Sequence, residues 1–256
     1  MVRALTELRA TFGSAPGLVL CYHAIRSRDR FADQMAVLAK RGCTVLTLRQ
    51  FTEWLNGSGR PAGRAALLTF DHCHAEQLET AIPVLESLRL SATFFPVSGG
   101  LAHPRSDGAT RWRRTLLDLT KAGHTIGCHT HTHPILTRLS TTQIRHEVLR
   151  SKLALEDALG DRVSAFCYPY GAHDARVRSV VQEAGFDVAF TVDLGGVRAG
   201  DDAYRLKRAP VLGEPASAEF GAYLSGRFLV AGSVLLCWKM RERLLERHLL
   251  APERLE

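Results

Sequence analysis

The densest group of residues able to do chemistry lies between positions 129 and 134. The segment reads His129-Thr130-His131-Thr132-His133-Pro134, and it follows a short apolar run. Histidines four positions apart can turn two imidazoles toward one ion, and imidazole is a common ligand of zinc and other first-row metals. We therefore expect His129 and His133 to bind a metal, with His131 turned away from it.

A second polar cluster, Asp71-His72-Cys73-His74, comes directly after an apolar run. An acidic side chain at the end of a buried strand is costly unless it has a partner, so Asp71 is a candidate for paired or catalytic work. The alternative is an aspartate that caps the next helix. Either His72 or His74 could add a third nitrogen to the metal.

Two further apolar runs end in polar residues. Residues 166–171 end in a Tyr-Pro-Tyr-Gly turn, and Cys21-Tyr22-His23 closes the first run of the chain. In a parallel α/β barrel the carboxyl ends of the strands converge on one face, where such enzymes place their active sites. Four separate stretches of sequence would therefore meet in one pocket.

The elements that must position these residues alternate along the chain. Apolar runs typical of buried strands occur at residues 17–22, 44–46, 65–70, 92–97, 125–128, 165–168 and 188–192. Segments with helical spacing lie between them, including 142–159, with capping candidates at 140–142 and a stop at Gly160, and 174–184. This alternation predicts an α/β chain with parallel strands covered by helices.

The composition is that of a folded globular protein, with 256 residues, 46% of them hydrophobic and 23% charged. The formal net charge is +7, but the basic residues are scattered rather than gathered in one run, so we expect no nucleic-acid partner. The six cysteines form no Cys-x-x-Cys pair and are expected to be reduced. The residues near the start contain no apolar secretory segment, which predicts a cytoplasmic protein.

The sequence predicts one main domain with two additions. An N-terminal helical extension covers residues 1–16, a barrel covers 17–225, and an amphipathic helical appendage covers 226–256. The apolar stretch that opens the appendage is shorter than the about 20 residues that span a membrane. Two interpretations of this appendage stay open: a helix packed on the barrel or on a second copy of the chain, and a peripheral membrane contact. The oligomeric state is open as well.

One ordered set of motifs runs from about residue 19 to residue 220. It comprises Tyr22-His23, Leu68 to Asp71, Ala92 to Phe95, Gly123-His124, His129 to Pro134, Phe166 to Gly171, Glu183 to Phe186 and Arg205 to Arg208. In this order the motifs resemble those of the NodB-homology polysaccharide deacetylases, of carbohydrate esterase type, in their Tyr-Pro-Tyr-Gly subgroup. The resemblance implies a deformed (β/α) barrel that holds one divalent metal ion, zinc or alternatively cobalt, nickel, manganese or iron.

The resemblance also implies roles for single residues. Asp71 matches the general base, and His23 matches the acid that protonates the departing amine. Tyr170 matches the residue whose backbone N–H helps to hold the oxyanion. Pro169 and Tyr168, in the same motif, are expected to contact the substrate.

The metal ligands of the family are two histidines, matched by His129 and His133, and a second aspartate after the base. This chain has His72 in place of that aspartate. Three histidines form a good zinc site, although the missing carboxylate leaves one more positive charge at the metal. We expect His72 to be the third ligand; the alternative is that its ring points away. Cys167 stands where many relatives carry an arginine that orients the base.

The sequence therefore predicts a metal-dependent hydrolase. Its substrate would be an amino sugar or glycoside intermediate, from which it removes an N-acetyl or other small N-acyl group. One alternative is a barrel hydrolase that acts on another C–N bond. The other is a non-catalytic, carbohydrate-binding relative.

Overall fold

A computed structural model describes residues 17–101 and 107–224 of the chain. The strands in this part are β1 (Gly17–Tyr22), β2 (Cys43–Val45), β3 (Arg64–His72), β4 (Thr93–Pro96), β5 (Thr125–Ile126), β6 (Ala165–Cys167), β7 (Val188–Leu194) and β8 (Leu206–Val211). The α-helices are α1 (Arg28–Lys40), α2 (Leu48–Leu55), α3 (Ala75–Ser87), α4 (Asp107–Lys121), α5 (Thr141–Leu159), α6 (Ala175–Glu183) and α7 (Ser217–Leu224). Short 3₁₀ turns occupy Ser98–Leu101, Leu136–Arg138 and Pro169–Gly171.

The strands form a nearly closed parallel barrel. Their order is β5-β4-β3-β1-β8-β7-β6, and β2 pairs with the first residues of β3. A single parallel bridge between Cys128 and Phe166 joins the two ends of the sheet. Helices cover the outside, because parallel strands are connected by crossovers that carry helices. The predicted deformed (β/α) barrel is confirmed.

Along β1, β3 and β7, side chains alternate between two core clusters. On β1, Leu18 and Leu20 pack between the strands and the helices, whereas Val19 lies in the inner cluster. Phe51 and Trp54 of α2 belong to that inner cluster, so this helix closes the end of the barrel at which the strands begin. Polar residues are therefore left to the opposite end, where the strands finish.

Several predicted boundaries need correction. β3 extends through residue 72, so Asp71 lies within the strand rather than after it. β5 ends at residue 126 instead of 128, and β8 was not predicted at all. α5 starts at Thr141, one residue before the predicted start, while the predicted capping by Ser140 and the stop at the left-handed Gly160 are confirmed.

The predicted extension at 1–16 lies outside the described residues, and so does the appendage at 226–256. Both stay predictions. Among residues 17–101 and 107–224, no helix has the length and apolar character needed to cross a membrane.

Candidate active site

Asp71 is held inside the barrel by an arginine to which the sequence pattern assigned no role. Arg208 on β8 is fully buried, and its Nη1 and Nη2 donate to Oδ1 and Oδ2 of Asp71, both at 2.8 Å. Its Nε donates to the carbonyl of Thr191 at 2.7 Å, which fixes the plane of the guanidinium. Burial alone would raise the pKa of Asp71, but the charge and hydrogen bonds of Arg208 outweigh it and hold that pKa far below its ordinary value. Asp71 is therefore an oriented anion. It is not the cap of the next helix, because the N-cap residue of α3 is His74.

Two thiols complete the surroundings of Asp71. The Sγ atoms of Cys21 on β1 and Cys167 on β6 each lie 3.6 Å from Oδ2 of Asp71. Burial raises the pKa of both thiols, so they are protonated and donate to the carboxylate. Arg208 thus orients Asp71 from β8, the role that the resemblance implies for an arginine at the position of Cys167. The sequence offers a sign of this role. Side chains two positions apart on a strand point to the same face, so Arg208 faces inward as Leu206 does.

Three histidines converge beside Asp71. His129 follows β5 and is buried, and its Nδ1 lies 2.8 Å from the carbonyl oxygen of Cys167. A carbonyl oxygen only accepts, so Nδ1 carries the proton and Nε2 is left with a lone pair. His133 Nε2 lies 3.1 Å from His129 Nε2. The ring of His72, at the end of β3, is centred 5.3 Å from that of His129 and 4.7 Å from that of His133.

These three histidines fit a divalent metal ion. Their ligand atoms all lie within 4.8 Å of one another. Two nitrogens bound to one tetrahedral zinc ion are about 3.3 Å apart, given a Zn–N bond of about 2.0 Å, and the Nε2 atoms of His129 and His133 already stand at 3.1 Å. Burial lowers the pKa of His129 to about 3 and that of His72 to about 4, so both imidazoles are neutral near pH 7 and able to bind metal.

Other groupings of ligand atoms occur among the described residues, and all of them share Asp71. Cys21, His23 and Asp71 form one, and Asp71, His129 and Cys167 form another. Both depend on a protonated thiol and on a carboxylate already engaged by an arginine, so neither suits a cation as well as the three histidines do. His74, the alternative third nitrogen, stacks on the ring of His72 at 5.4 Å but belongs to none of these groups.

His23 lies at the mouth of the site, next to Asp71. Its Nε2 is 3.5 Å from Oδ2 of Asp71, and its side chain is 33% exposed. The buried amide of Gln77 in α3 donates through Nε2 to the carbonyls of Tyr22 and His23, at 3.3 and 3.2 Å. The backbone that carries His23 is thus anchored, while the imidazole can still reach solvent.

The Tyr-Pro-Tyr-Gly turn places two tyrosines in different surroundings. The ring of Tyr170 packs edge-on against His133, with centroids 4.7 Å apart. Gly171 has a φ of +68°, and a Cβ there would come within 2.2 Å of a Val192 methyl carbon, so glycine is required. Tyr168, expected to contact substrate, is fully buried, and its hydroxyl donates to the carbonyl of Tyr204. This buried position does not support the expectation that Tyr168 contacts substrate. Pro169, the other residue expected to contact substrate, is also buried.

Backbone strain concentrates around the site. Among the described residues, seven that are not glycine have a positive φ, and five of them lie here: His72, Cys73, Thr130, His133 and Tyr170. Each such residue costs on the order of 1 kcal/mol or more, and the conformation persists only where its surroundings enforce it. The strain clusters where the candidate ligands and the Tyr-Pro-Tyr-Gly turn must be held.

Comparison with known proteins identifies the family. Residues 58–189, just over half of the chain, match the family model described as Polysaccharide deacetylase. The chain belongs to the polysaccharide deacetylase family. The resemblance carried by the motifs is therefore confirmed.

Two relatives of this deacetylase family member agree with that assignment. The chain is 24% identical over 213 residues to YxkH of Bacillus subtilis (strain 168), which carries the name of a polysaccharide deacetylase, with 80% of this chain and 75% of that protein covered. It is 22% identical over 193 residues to the poly-beta-1,6-N-acetyl-D-glucosamine N-deacetylase of Staphylococcus aureus, with 71% of this chain and 66% of that protein covered, just under two thirds of the latter.

Solved structures show the same fold. IcaB from Ammonifex degensii superposes with a TM-score of 0.70 at 24% identity, over 83% of this chain and 98% of that one. The Streptococcus pyogenes deacetylase PplD superposes with a TM-score of 0.72 at 21% identity, over 81% of this chain and 97% of that one. The barrel of this deacetylase family member therefore has the same fold as the barrels of these two structures.

Proposed function

We propose that this chain is a metal-dependent N-deacetylase, which removes an acetyl or other small acyl group from an amino sugar or glycoside intermediate. The observation that carries the proposal is the pairing of an oriented carboxylate, Asp71, with three converging histidines. Asp71 and His129 have ligand atoms within 4.8 Å of each other. Amide hydrolysis needs a proton acceptor and an electrophilic site at one point, and this arrangement offers both.

The metal would be held by His72, His129 and His133, and zinc suits this set of three imidazoles. When bound, it would polarise the acyl carbonyl and acidify the attacking water. Asp71 accepts the proton of that water. Because Arg208 makes Asp71 a weak base, it needs an acidic proton donor, and three neutral ligands favour acidity more than a set with a carboxylate would.

Two further groups act on the substrate itself. The backbone N–H of Tyr170 donates to the oxyanion that forms when the carbonyl is attacked. His23, which reaches solvent beside Asp71, donates a proton to the nitrogen as the C–N bond breaks. Protonation is needed because an amine leaves far more readily than an amide anion. The products are the free amino sugar and a carboxylate such as acetate.

The substrate class is supported by the relatives. The Staphylococcus aureus relative is named for poly-beta-1,6-N-acetyl-D-glucosamine, and its similarity covers most of this chain. An N-acetylated glucosamine is accordingly the first substrate to test. Free oligomers, nucleotide-linked sugars and lipid-linked sugars should be compared, since they present the same amide on different carriers.

The test combines metal content with acetate release. The purified protein, loaded with zinc, should hold about one equivalent of metal and release acetate from at least one of these N-acetylated sugars. Asp71→Asn should hold the metal and release acetate more than about 100-fold more slowly. A protein that binds zinc but hydrolyses C–N bonds only in compounds other than N-acylated amino sugars and glycosides supports the alternative hydrolase of another C–N bond. A protein that binds no metal supports the non-catalytic alternative.

A further inference from the structure

The loop that joins the two family-matched ligands is held in a costly conformation. His129 and His133 are separated by Thr130, His131 and Thr132, and both Thr130 and His133 have a left-handed backbone, with φ values of +66° and +63°. Within the loop, the N–H of His133 donates to Oγ1 of Thr130 at 3.0 Å. One internal hydrogen bond is worth about 1 kcal/mol, which is too little to hold two strained residues. Contacts from outside the loop must therefore fix it.

One side of the loop rests on the 3₁₀ turn after β4. The N–H of Ser98 donates to the carbonyl of Thr130 at 3.1 Å, and Ser98 Oγ lies 3.0 Å from Nδ1 of His131. A Cβ at Gly99 would come within 2.8 Å of the His131 carbonyl oxygen, so the turn lies directly against the loop. These contacts explain why His131 is buried away from the other histidines.

The other side is held by a carboxylate that no motif singled out. Glu147 on α5 is only 8% exposed. Its Oε2 accepts from the backbone N–H groups of His131 and Thr132, at 3.0 and 2.8 Å, and its Oε1 accepts from the Thr132 hydroxyl at 2.8 Å. Hydrogen bonds to a charged acceptor are about twice as strong as neutral ones. Removing the carboxylate would leave the buried N–H of His131 without an acceptor, which costs about 1–3 kcal/mol, and would also release the less buried Thr132.

We propose that Glu147 is the positioning residue that holds His129 and His133 in metal-binding geometry. The inference rests on the proposed metal site, but concerns a residue that does not itself contact the metal. Partners that orient ligands typically change metal affinity by about 10–100-fold when they are removed. Glu147 acts through the backbone between the two ligands, so both lose their alignment when it is removed.

The test measures metal binding to the metal-free protein by competition with a chromophoric chelator, and records the visible spectrum of the cobalt-loaded protein. Glu147→Ala should weaken zinc and cobalt binding about 10–100-fold and alter the cobalt absorption bands. Glu147→Gln should restore binding to within about threefold of the natural chain, because its amide oxygen still accepts from both N–H groups. Asp157→Ala, a matched loss of an exposed carboxylate on the same helix, should change nothing.

A further variant keeps the inference testable if Glu147→Ala does not fold. Glu147→Asp retains the charge but is one methylene shorter, so it should weaken metal binding more than Glu147→Gln does. A folded Glu147→Ala or Glu147→Asp with natural affinity and an unchanged cobalt spectrum overturns the role of Glu147. A natural chain that binds neither zinc nor cobalt overturns the metal site itself, which separates the two failures.

Discussion

Asp71 and Arg208 form a fully buried, two-pronged ion pair between side chains 137 positions apart in sequence. The guanidinium also donates to Thr69 and to the carbonyl of Thr191. Strands β3, β7 and β8 are thus tied together at the end of the barrel that carries the histidines. One contact therefore contributes both to the stability of the barrel and to the charge and direction of the carboxylate that we propose as the base.

Breaking this pair should cost far more stability than removing an exposed charge. Arg208→Met leaves Asp71 buried without a counter-ion, which costs about 3–5 kcal/mol. Lys207→Met removes the same charge from the neighbouring, exposed position on β8 and should change stability by less than about 0.5 kcal/mol. The free energy of unfolding in urea measures both. The double variant Asp71→Asn, Arg208→Met should be more stable than Arg208→Met alone. Equal losses of stability in Arg208→Met and Lys207→Met would show that the Asp71–Arg208 pair does not stabilise the barrel.

Asp71→Asn should remove turnover and spare metal binding. Asparagine keeps the shape of the side chain and one acceptor oxygen for Arg208, but it cannot take a proton, so the rate of acetate release should fall by more than about 100-fold. Zinc content should stay near one equivalent, because the three histidines are intact. Asp33→Asn, an exposed change on α1, serves as the control. Turnover that survives in Asp71→Asn would remove Asp71 from the role of base.

The strands that the sequence revealed are those with unbroken apolar runs. β1 matches its predicted bounds, and β3 was found apart from its ends, because strands buried on both faces read as continuous apolar stretches. β8 was not predicted, because Lys207, Arg208 and Pro210 interrupt its apolar residues. Local pattern thus located the strands with unbroken apolar runs and missed β8, in which charged residues and a proline interrupt the run.

The residues of the candidate site also differ in how far the local sequence could predict them. His129 and His133 could be identified from spacing, because four positions bring two imidazoles to one ion, whereas the assignment of Asp71 and His23 depended on the family resemblance. Arg208 and Glu147 could not be paired with their partners, since only the closure of the barrel and the packing of α5 bring them close. The substrate contact expected of Tyr168 stays a prediction that its buried position does not favour, for the opposite reason. A motif shows which residues are together in sequence, but the alternation of side chains decides which of them face the pocket.

His72 should prove essential for metal binding, and aspartate should replace it. His72→Ala removes one of three ligands and should weaken zinc binding by at least about 10-fold. His72→Asp supplies a carboxylate, the ligand that the resemblance implies at this position, and should again bind about one equivalent of zinc. His74→Ala removes the exposed ring stacked on His72 and is the matched control. Undiminished zinc binding in His72→Ala would mean that His72 points away from the metal.

Tyr168→Phe should affect stability and leave catalysis unchanged. The substitution removes the hydroxyl that donates to the buried carbonyl of Tyr204, which costs about 1 kcal/mol of the free energy of unfolding. The value of kcat/KM should not change, because the ring of Tyr168 is buried in the core. A raised KM for the N-acetylated sugar, with stability unchanged, would restore the original expectation that Tyr168 contacts substrate.

His23→Gln should slow the reaction most for substrates whose amine leaves poorly. The substitution removes the proton donor at the mouth of the site, so kcat for an N-acetylated sugar should fall by about 10²–10⁴-fold. An acetyl anilide with an electron-withdrawing ring substituent releases a weakly basic amine and needs less protonation, so its rate should fall much less. His146→Gln, at an exposed position on α5, controls for the loss of a histidine. Equal losses for both substrates would show that His23 acts before the C–N bond breaks, by positioning Asp71 rather than by donating a proton.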